Sequence, residues 1–222
     1  MVWQVLEALA GRKPGIAHER EWFRAAVLVP LMSVENAVHV LFEVRADGLA
    51  RQPGEICFPG GEVEGHEEPA RTALREACEE LGLTEGQIEL LGSLDYVLTP
   101  PGTLVYPFTG RITLGAELRP NPEEVREVFT VPLEYLLDYK PAVYLVEVAT
   151  RYPPDFPFNR VPPTYGPGWQ KRWAFPTYFY EYRGYLIWGI TARILHNLLE
   201  VCRAGAAGAT KGERTEPSRK AL

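Results

Sequence analysis

Three glutamates, Glu76, Glu79 and Glu80, stand three and four positions apart in the run "REACEELGL". If that run is helical, the 100° advance per residue gathers their carboxylates in one narrow sector of the helix surface. Like charges at this spacing repel by roughly 0.2–0.5 kcal/mol per pair even in solvent. A divalent cation removes the repulsion. Carboxylate oxygens are the hard ligands that Mg²⁺ and Mn²⁺ prefer, with the remaining positions left to water and phosphate oxygens. The plain alternative is a solvated, charge-rich helix face. Two neighbouring features weigh against it. A glycine pair, Gly60 and Gly61, precedes the run in "FPGG"; there the backbone can approach a ligand closely and a carbonyl can join a metal shell. Arg75 adjoins the cluster, and Glu67, two turns earlier, is a carboxylate that it can grip with its planar fork.

A helix that presents such a sector needs a sheet beneath it. Ala70, Leu74, Ala77 and Leu81 centre about a third of a turn from the carboxylates, so the apolar stripe can be buried while the acidic sector faces a cleft. Pro69 suits the first turn, Glu67 and Glu68 suit the positive end, and Gly82 is a natural stop, which predicts a helix over 69–81. Upstream, "RAAVLVPLM", "AVHVLFEV" and the short "EICF" read as strands, the last set off by the turn-rich "RADGLARQPGE". Downstream, "IELLGSLDYVLT" and "TLVYPFTGRIT" read as two strands joined at "PPG". They are followed by the acidic "NPEEVREVF" and a short helical turn at "VPLEYLL". Residues 150–176, dense in proline and aromatics, read as a long irregular loop, "YFYEYRGYLI" as a late strand, and "WGITARILHNLLEVCR" as a closing amphipathic helix. "VWQVLEALAG" predicts a short N-terminal helix, and the small and charged residues of 205–222 a disordered tail. Interspersed strands and helices predict one α/β domain over 1–204, with its core at about 25–200 and a mixed sheet flanked by helices.

Composition narrows the function. With 222 residues, 46% of them hydrophobic, the chain can bury one good core, and a formal net charge of −6 offers nothing to a nucleic-acid backbone. A polyphosphate ligand would therefore need metal or local basic residues. The odd count of cysteines, Cys57, Cys78 and Cys202, has no metal-ligand spacing, which argues against a disulfide framework and fits a reducing interior. No apolar run is long enough to span a bilayer, so a cytoplasmic enzyme or binding domain without a membrane partner is expected. No Ser-His-Asp grouping or P-loop supports nucleophilic or kinase chemistry. Cys57 and Cys78 read as small buried side chains, and His66 and His196 as a turn residue and a structural residue.

Residues 61–83 match the Nudix box, Gx5Ex7REUxEExGU, at every fixed position: Gly61, Glu67, Arg75, Glu76, Glu79, Glu80 and Gly82, with Ala77 and Leu83 in the apolar slots. The chain thus resembles the Nudix hydrolases. The resemblance implies an α/β/α sandwich around a mixed sheet, and hydrolysis of the P–O–P bridge of a nucleoside diphosphate derivative by water with Mg²⁺ or Mn²⁺. It implies metal ligation by Glu76, Glu79 and Glu80 with the Gly60 carbonyl, and orienting roles for Arg75 and Glu67. The general base is one of the box glutamates or a later one, with Glu124 and Glu123 of "NPEEV" as candidates; an ordinary acidic turn is the alternative reading of that pair.

Upstream, "LFEVRADGLARQPGEICFPGG" resembles the added signature of the coenzyme A pyrophosphatase branch, LLTxRSx3Rx3GxxxFPGG, at Leu41, Arg45, Gly54, Phe58, Pro59, Gly60 and Gly61. Glu43 and Ala46 replace its Thr and Ser, and Ala50 occupies its second arginine slot with Arg51 one place late. "NPEEVREVFTVPLEYLL" and "YLIWGITARIL" are similar to phrases that follow the box in that branch. The implied reaction cleaves coenzyme A or its thioesters to 3′,5′-ADP and a 4′-phosphopantetheine product. For that substrate Arg45, Arg51, Lys171 and Arg172 are candidate phosphate contacts, Gly61 a point of close approach, and Tyr165, Trp169, Trp173 and Phe175 candidate adenine faces or loop anchors. ADP-ribose, NADH or another dinucleotide is the alternative substrate, and a nucleotide-binding domain without catalysis the alternative class. A homodimer is compatible with the sequence.

Overall fold

The computed structural model describes Ile16 and residues 19–212. The expected N-terminal helix falls outside these residues, as does the end of the tail. The elements run β1 (Phe23–Val34), β2 (Ala37–Arg45), β3 (Ile56–Cys57), β4 (Gly60–Glu62), α1 (Pro69–Leu81), β5 (Ile88–Ser93) and β6 (Val97–Leu98). They continue with β7 (Thr103–Ile112), β8 (Val125–Pro132), α2 (Leu133–Asp138), β9 (Ala142–Thr150), β10 (Gln170–Tyr182), β11 (Tyr185–Ile187) and α3 (Gly189–Gly212). The helix over 69–81 has the bounds that its proline and glycine predict, and α3 continues past Gly205 to Gly212.

The main sheet has eight strands with the path β3-β2-β1-β7-β5, to which β4 adds on β1, β6 on β7 and β8 on β2. β1 and β7 are parallel and the other pairs antiparallel, so the sheet is mixed. Period-two alternation gives both faces apolar rows. On one face Ala26, Leu28, Leu41 and Leu104 pack against Ala73, Leu74, Ala77 and Leu81 of α1. On the other, Val29, Val40, Phe42 and Val131 pack against Leu136 of α2 and Leu195 and Leu199 of α3. The result is an α/β/α sandwich.

Two corrections concern the second half. "VREVF", read only as acidic, is the start of β8, paired to β2 from His39 to Arg45. The stretch 150–176 is not one irregular loop: β10 begins at Gln170 and forms a long hairpin with β9, leaving 151–169 as the connection. Pro176 is tolerated within β10 because it faces Leu145 of β9 on one side, while β11 pairs only with Tyr180–Tyr182 on the other. An imino acid costs little at a position whose outer edge is open.

Candidate active site

β1 pairs with β2 only through Leu31–Val34 and with β4 through Ala25–Val27, so the two long strands splay and residues 56–62 fill the opening. Only glycine fits the backbone at Gly60, and Gly61 leaves room for a side chain from α1. A Cβ on Gly60 would lie 2.3 Å from the Ala26 carbonyl oxygen, and one on Gly61 would lie 2.3 Å from Glu76 Oε1. The Gly60 N–H donates to Glu80 Oε2 at 2.8 Å. The pair therefore forms two adjacent seats, one for Glu80 and one for Glu76.

The three box carboxylates, equivalent by spacing, are graded by burial. Glu80 is 4% exposed, Glu76 is half-buried and Glu79 is exposed. Arg75 holds three carboxylates: Nη1 lies 2.9 Å from Glu76 and 3.2 Å from Glu79, and Nη2 lies 3.3 Å from Glu67. The Thr72 hydroxyl donates to Glu67 at 2.8 Å. Arg75 and then Thr72 hold the Glu67 carboxyl below the ordinary range. Glu67 thus serves Arg75 more than it serves the start of the helix.

At the other end of α1, Gly82 adopts a left-handed φ of 65° and closes on the chain, since a Cβ would sit 2.2 Å from the Arg119 carbonyl oxygen. The Arg119 N–H donates to Leu81 O and the Asn121 N–H to Glu80 O, each at 2.9 Å. These bonds dock the 119–124 turn on the helix end. Asn121 Nδ2 donates to Glu124 Oε2 at 3.3 Å, and the Glu124 carbonyl accepts the Ala46 N–H at 2.8 Å. Glu124 is brought within electrostatic reach of Glu76 and Glu80, whereas Glu123 remains exposed.

Charge accumulates at this place. Burial, then the fields of Glu43, Glu76 and Glu124, push the Glu80 carboxyl up to about 9 against the opposing Gly60 N–H. Burial also raises Glu76, with Glu79 and Glu124 adding and Arg75 opposing. Glu43, on β2 and 1% exposed, is raised by burial to about 7. The neighbouring Cys57 thiol is raised far above its ordinary range by burial and by Glu43, which excludes it as a thiolate nucleophile. Among the described residues no three acidic, histidine or cysteine side chains are already arranged as a ligand set, since Arg75 engages Glu76 and Glu79 while Gly60 engages Glu80. The donor chemistry nonetheless fits a hard divalent cation: all donors are oxygens, the single guanidinium of Arg75 is shared among three carboxylates, and Glu43 Oε2 is buried without a hydrogen-bond partner.

A cleft of about 710 Å³ reaches Gly60. Arg45 and Arg51 line it together, with Arg45 Nε donating to the Arg51 carbonyl at 3.4 Å and the Arg51 guanidinium 5.9 Å from the Phe23 ring. Phe23, Val27, Phe58 and Trp188 supply apolar wall. Lys171 and Arg172 are not part of it. On β10, Lys171 pairs with Glu147, and Arg172 donates to Thr150 Oγ1 at 2.6 Å and to the Tyr152 hydroxyl at 3.2 Å. Tyr165, Trp169 and Trp173 are exposed outside the cleft, and Phe175 lines a separate apolar pocket of about 300 Å³ that shares Trp188 and Ile190 with it. His66 borders a hollow beside Glu67, and His196 is bonded to the Tyr180 hydroxyl at 2.7 Å. Sequence reasoning passed over Glu43, Thr72, Phe23 and Trp188 as site residues. The signals for Glu43 are an acid in the mostly apolar "AVHVLFEV" and its place in the threonine slot of the branch signature.

A NUDIX domain model matches residues 22–152. The peroxisomal coenzyme A diphosphatase NUDT7 of Mus musculus is 41% identical over 132 residues, 59% of this chain and 55% of that protein. The mitochondrial coenzyme A diphosphatase NUDT8 of Homo sapiens is 42% identical over 117 residues, 51% of this chain and 50% of that protein. The match thus spans about half the length of either diphosphatase. The uncharacterized Nudix hydrolase NudL of Photorhabdus laumondii is 34% identical over 177 residues, 79% of this chain and 83% of that protein. Among the described residues no helix is long and apolar enough to cross a membrane. With every fixed box position occupied and more than half its length matched, the chain belongs to the Nudix hydrolase family.

Proposed function

We propose that the protein hydrolyses the diphosphate bridge of coenzyme A or its thioesters, giving 3′,5′-ADP and 4′-phosphopantetheine or its acyl form. The observation that carries this reading is the cleft that joins Gly60, beside the acidic pocket, to Arg45 and Arg51 and continues along apolar wall. A phosphorylated nucleotide with a long, weakly polar arm needs that sequence of surfaces, and arginine forks suit its phosphates. The kinship with two proteins named coenzyme A diphosphatases supports the same substrate.

Glu76, Glu79 and Glu80, with the Gly60 carbonyl, would hold Mg²⁺ or Mn²⁺. Such an ion, when bound, neutralises diphosphate charge and lowers the pKa of bound water. The protein's own work is positional. Gly60 and Gly61 seat Glu80 and Glu76, and Arg75, braced by Glu67, keeps Glu76 and Glu79 from rotating away. Hydrolysis places a water oxygen on one phosphorus, breaks the bridging P–O bond and leaves a proton to be taken up; Glu124, at the edge of the pocket, is our candidate acceptor.

A second reading has one observation in its favour: the branch signature's second arginine slot holds Ala50, and Arg51 fills the cleft from the adjacent position. Under that reading the substrate is ADP-ribose or NADH. Product release from coenzyme A, an acyl-coenzyme A, ADP-ribose and NADH, each with Mg²⁺ and with Mn²⁺, separates the two. Coenzyme A or its thioester should give the highest kcat/KM, and equal or lower turnover than on ADP-ribose rejects the first reading.

A further inference from the structure

Glu43 is a charged residue for which the box has no role. Strand alternation places it on the same face of β2 as Leu41, which packs on α1 with Ala73, Ala77 and Leu81. At 1% exposure an ionised carboxylate is costly unless something positive meets it. One oxygen, Oε1, accepts the Cys57 thiol proton across the β2–β3 pair at 3.1 Å. The other, Oε2, is buried and has no hydrogen-bond partner. Arg45 on the same strand offsets part of its charge, while Glu124 and Glu76 add to it, and Glu43 is the strongest charged neighbour acting on Glu80. A carboxylate with one oxygen pinned and the other free, set among carboxylates, is arranged to share a cation.

We infer that Glu43 is a further carboxylate of the cation site, its Oε2 joining Glu80 and Glu76 toward a divalent ion while the Cys57 thiol fixes its Oε1. The inference rests on the cation reading above and extends it to a residue outside the box. It also gives the buried carboxyl a physical reason: the cost of ionising Glu43 among other carboxylates is offset by its attraction to an ion once one is present.

Mn²⁺ titrated calorimetrically into the full chain without substrate tests it, with wild type, Glu43→Gln and Glu80→Gln compared. Glutamine keeps the side-chain volume and an oxygen for the thiol but removes the charge. Glu43→Gln should weaken Mn²⁺ binding about tenfold, within the range seen when a supporting group of a metal site is lost, and the rise in Tm on adding Mn²⁺ should shrink with it. Wild-type affinity in Glu43→Gln together with lost affinity in Glu80→Gln overturns the role of Glu43 and leaves the cation site standing. Absence of Mn²⁺ binding in the wild type overturns both. Should Glu43→Gln fail to fold, Glu43→Thr, which removes the carboxylate and shortens the side chain, carries the same expectation and the same refutation.

Discussion

Replacing Glu80 with glutamine should stabilise the ion-free protein at alkaline pH while abolishing most of its activity. Burial, and then the field of Glu43, push the folded Glu80 carboxyl up to about 9 from an ordinary value of 4.5. Between those values the native state holds a proton that the unfolded chain has released. Stability from this group is therefore complete below the lower value and is lost as pH rises through the higher one. One proton corresponds to about 1.4 kcal/mol per pH unit, so raising the pH from about 6 to about 8 costs the wild type about 3 kcal/mol through this carboxyl. Glu43, raised chiefly by burial, acts in the same direction. Glutamine still accepts the Gly60 N–H that Glu80 now accepts, but it has no proton to lose. Urea unfolding in EDTA at several pH values should show a wild-type curve falling more steeply than that of Glu80→Gln by about one proton. Saturating Mn²⁺ should reverse the ranking at the alkaline end, because the ionised carboxylate is then paired. On the proposed reaction, turnover of coenzyme A by Glu80→Gln should fall about 10³-fold, the loss expected when a ligand of the ion that neutralises the diphosphate is removed. Parallel stability curves for the two proteins in EDTA would refute the claim that burial and neighbouring carboxylates hold Glu80 protonated.

Further predictions concern the frame around that residue. Gly60→Ala forces a Cβ to within 2.3 Å of the Ala26 carbonyl, a backbone clash that should cost about 3 kcal/mol in urea melts. Gly61→Ala meets only the movable carboxylate of Glu76 at 2.3 Å, so it should keep its fold within about 1 kcal/mol but lose about 10²-fold in kcat. A Gly61→Ala protein with normal turnover contradicts the assigned seat. Arg75→Lys offers a point charge where a fork now joins Glu67, Glu76 and Glu79, and kcat should drop about tenfold with melting nearly unchanged. His196, stacked on Tyr178 and bonded to Tyr180, is held below the usual imidazole range, chiefly by burial. Its folded form resists a proton that the unfolded chain accepts, so its contribution to stability should be lost as pH falls below the ordinary histidine value. His196→Gln should flatten the acid side of the stability profile, and an unchanged slope there refutes the assignment.

The separate three-stranded sheet β11-β10-β9 was the least legible part of the fold. "AVYLVEVAT" and the aromatic run ending in "FPTYFYEY" lie on either side of a proline-rich connection, so the hairpin that unites β9 and β10 is invisible to any local window. Pro176 reads as a loop residue until the open edge beside it is known. For the same reason Lys171 and Arg172 look available to phosphate in the sequence and are engaged by Glu147, Thr150 and Tyr152 in the fold. Arg51 shows the reverse: one position out of step with the branch signature, it still lines the cleft beside Arg45.

By itself the sequence determined the bounds of α1, its buried stripe and its acidic sector, because proline, glycine and helical periodicity act within a few residues of one another. The tertiary structure alone decided that three similarly spaced glutamates are unequal. Glu80 is buried because Gly60 arrives from a strand twenty positions earlier, and it is crowded by Glu43 from β2 and Glu124 from the turn before β8. Burial and electrostatic fields are summed over everything that is near in space, and the spacing of residues along a chain does not record which distant carboxylates will share one pocket.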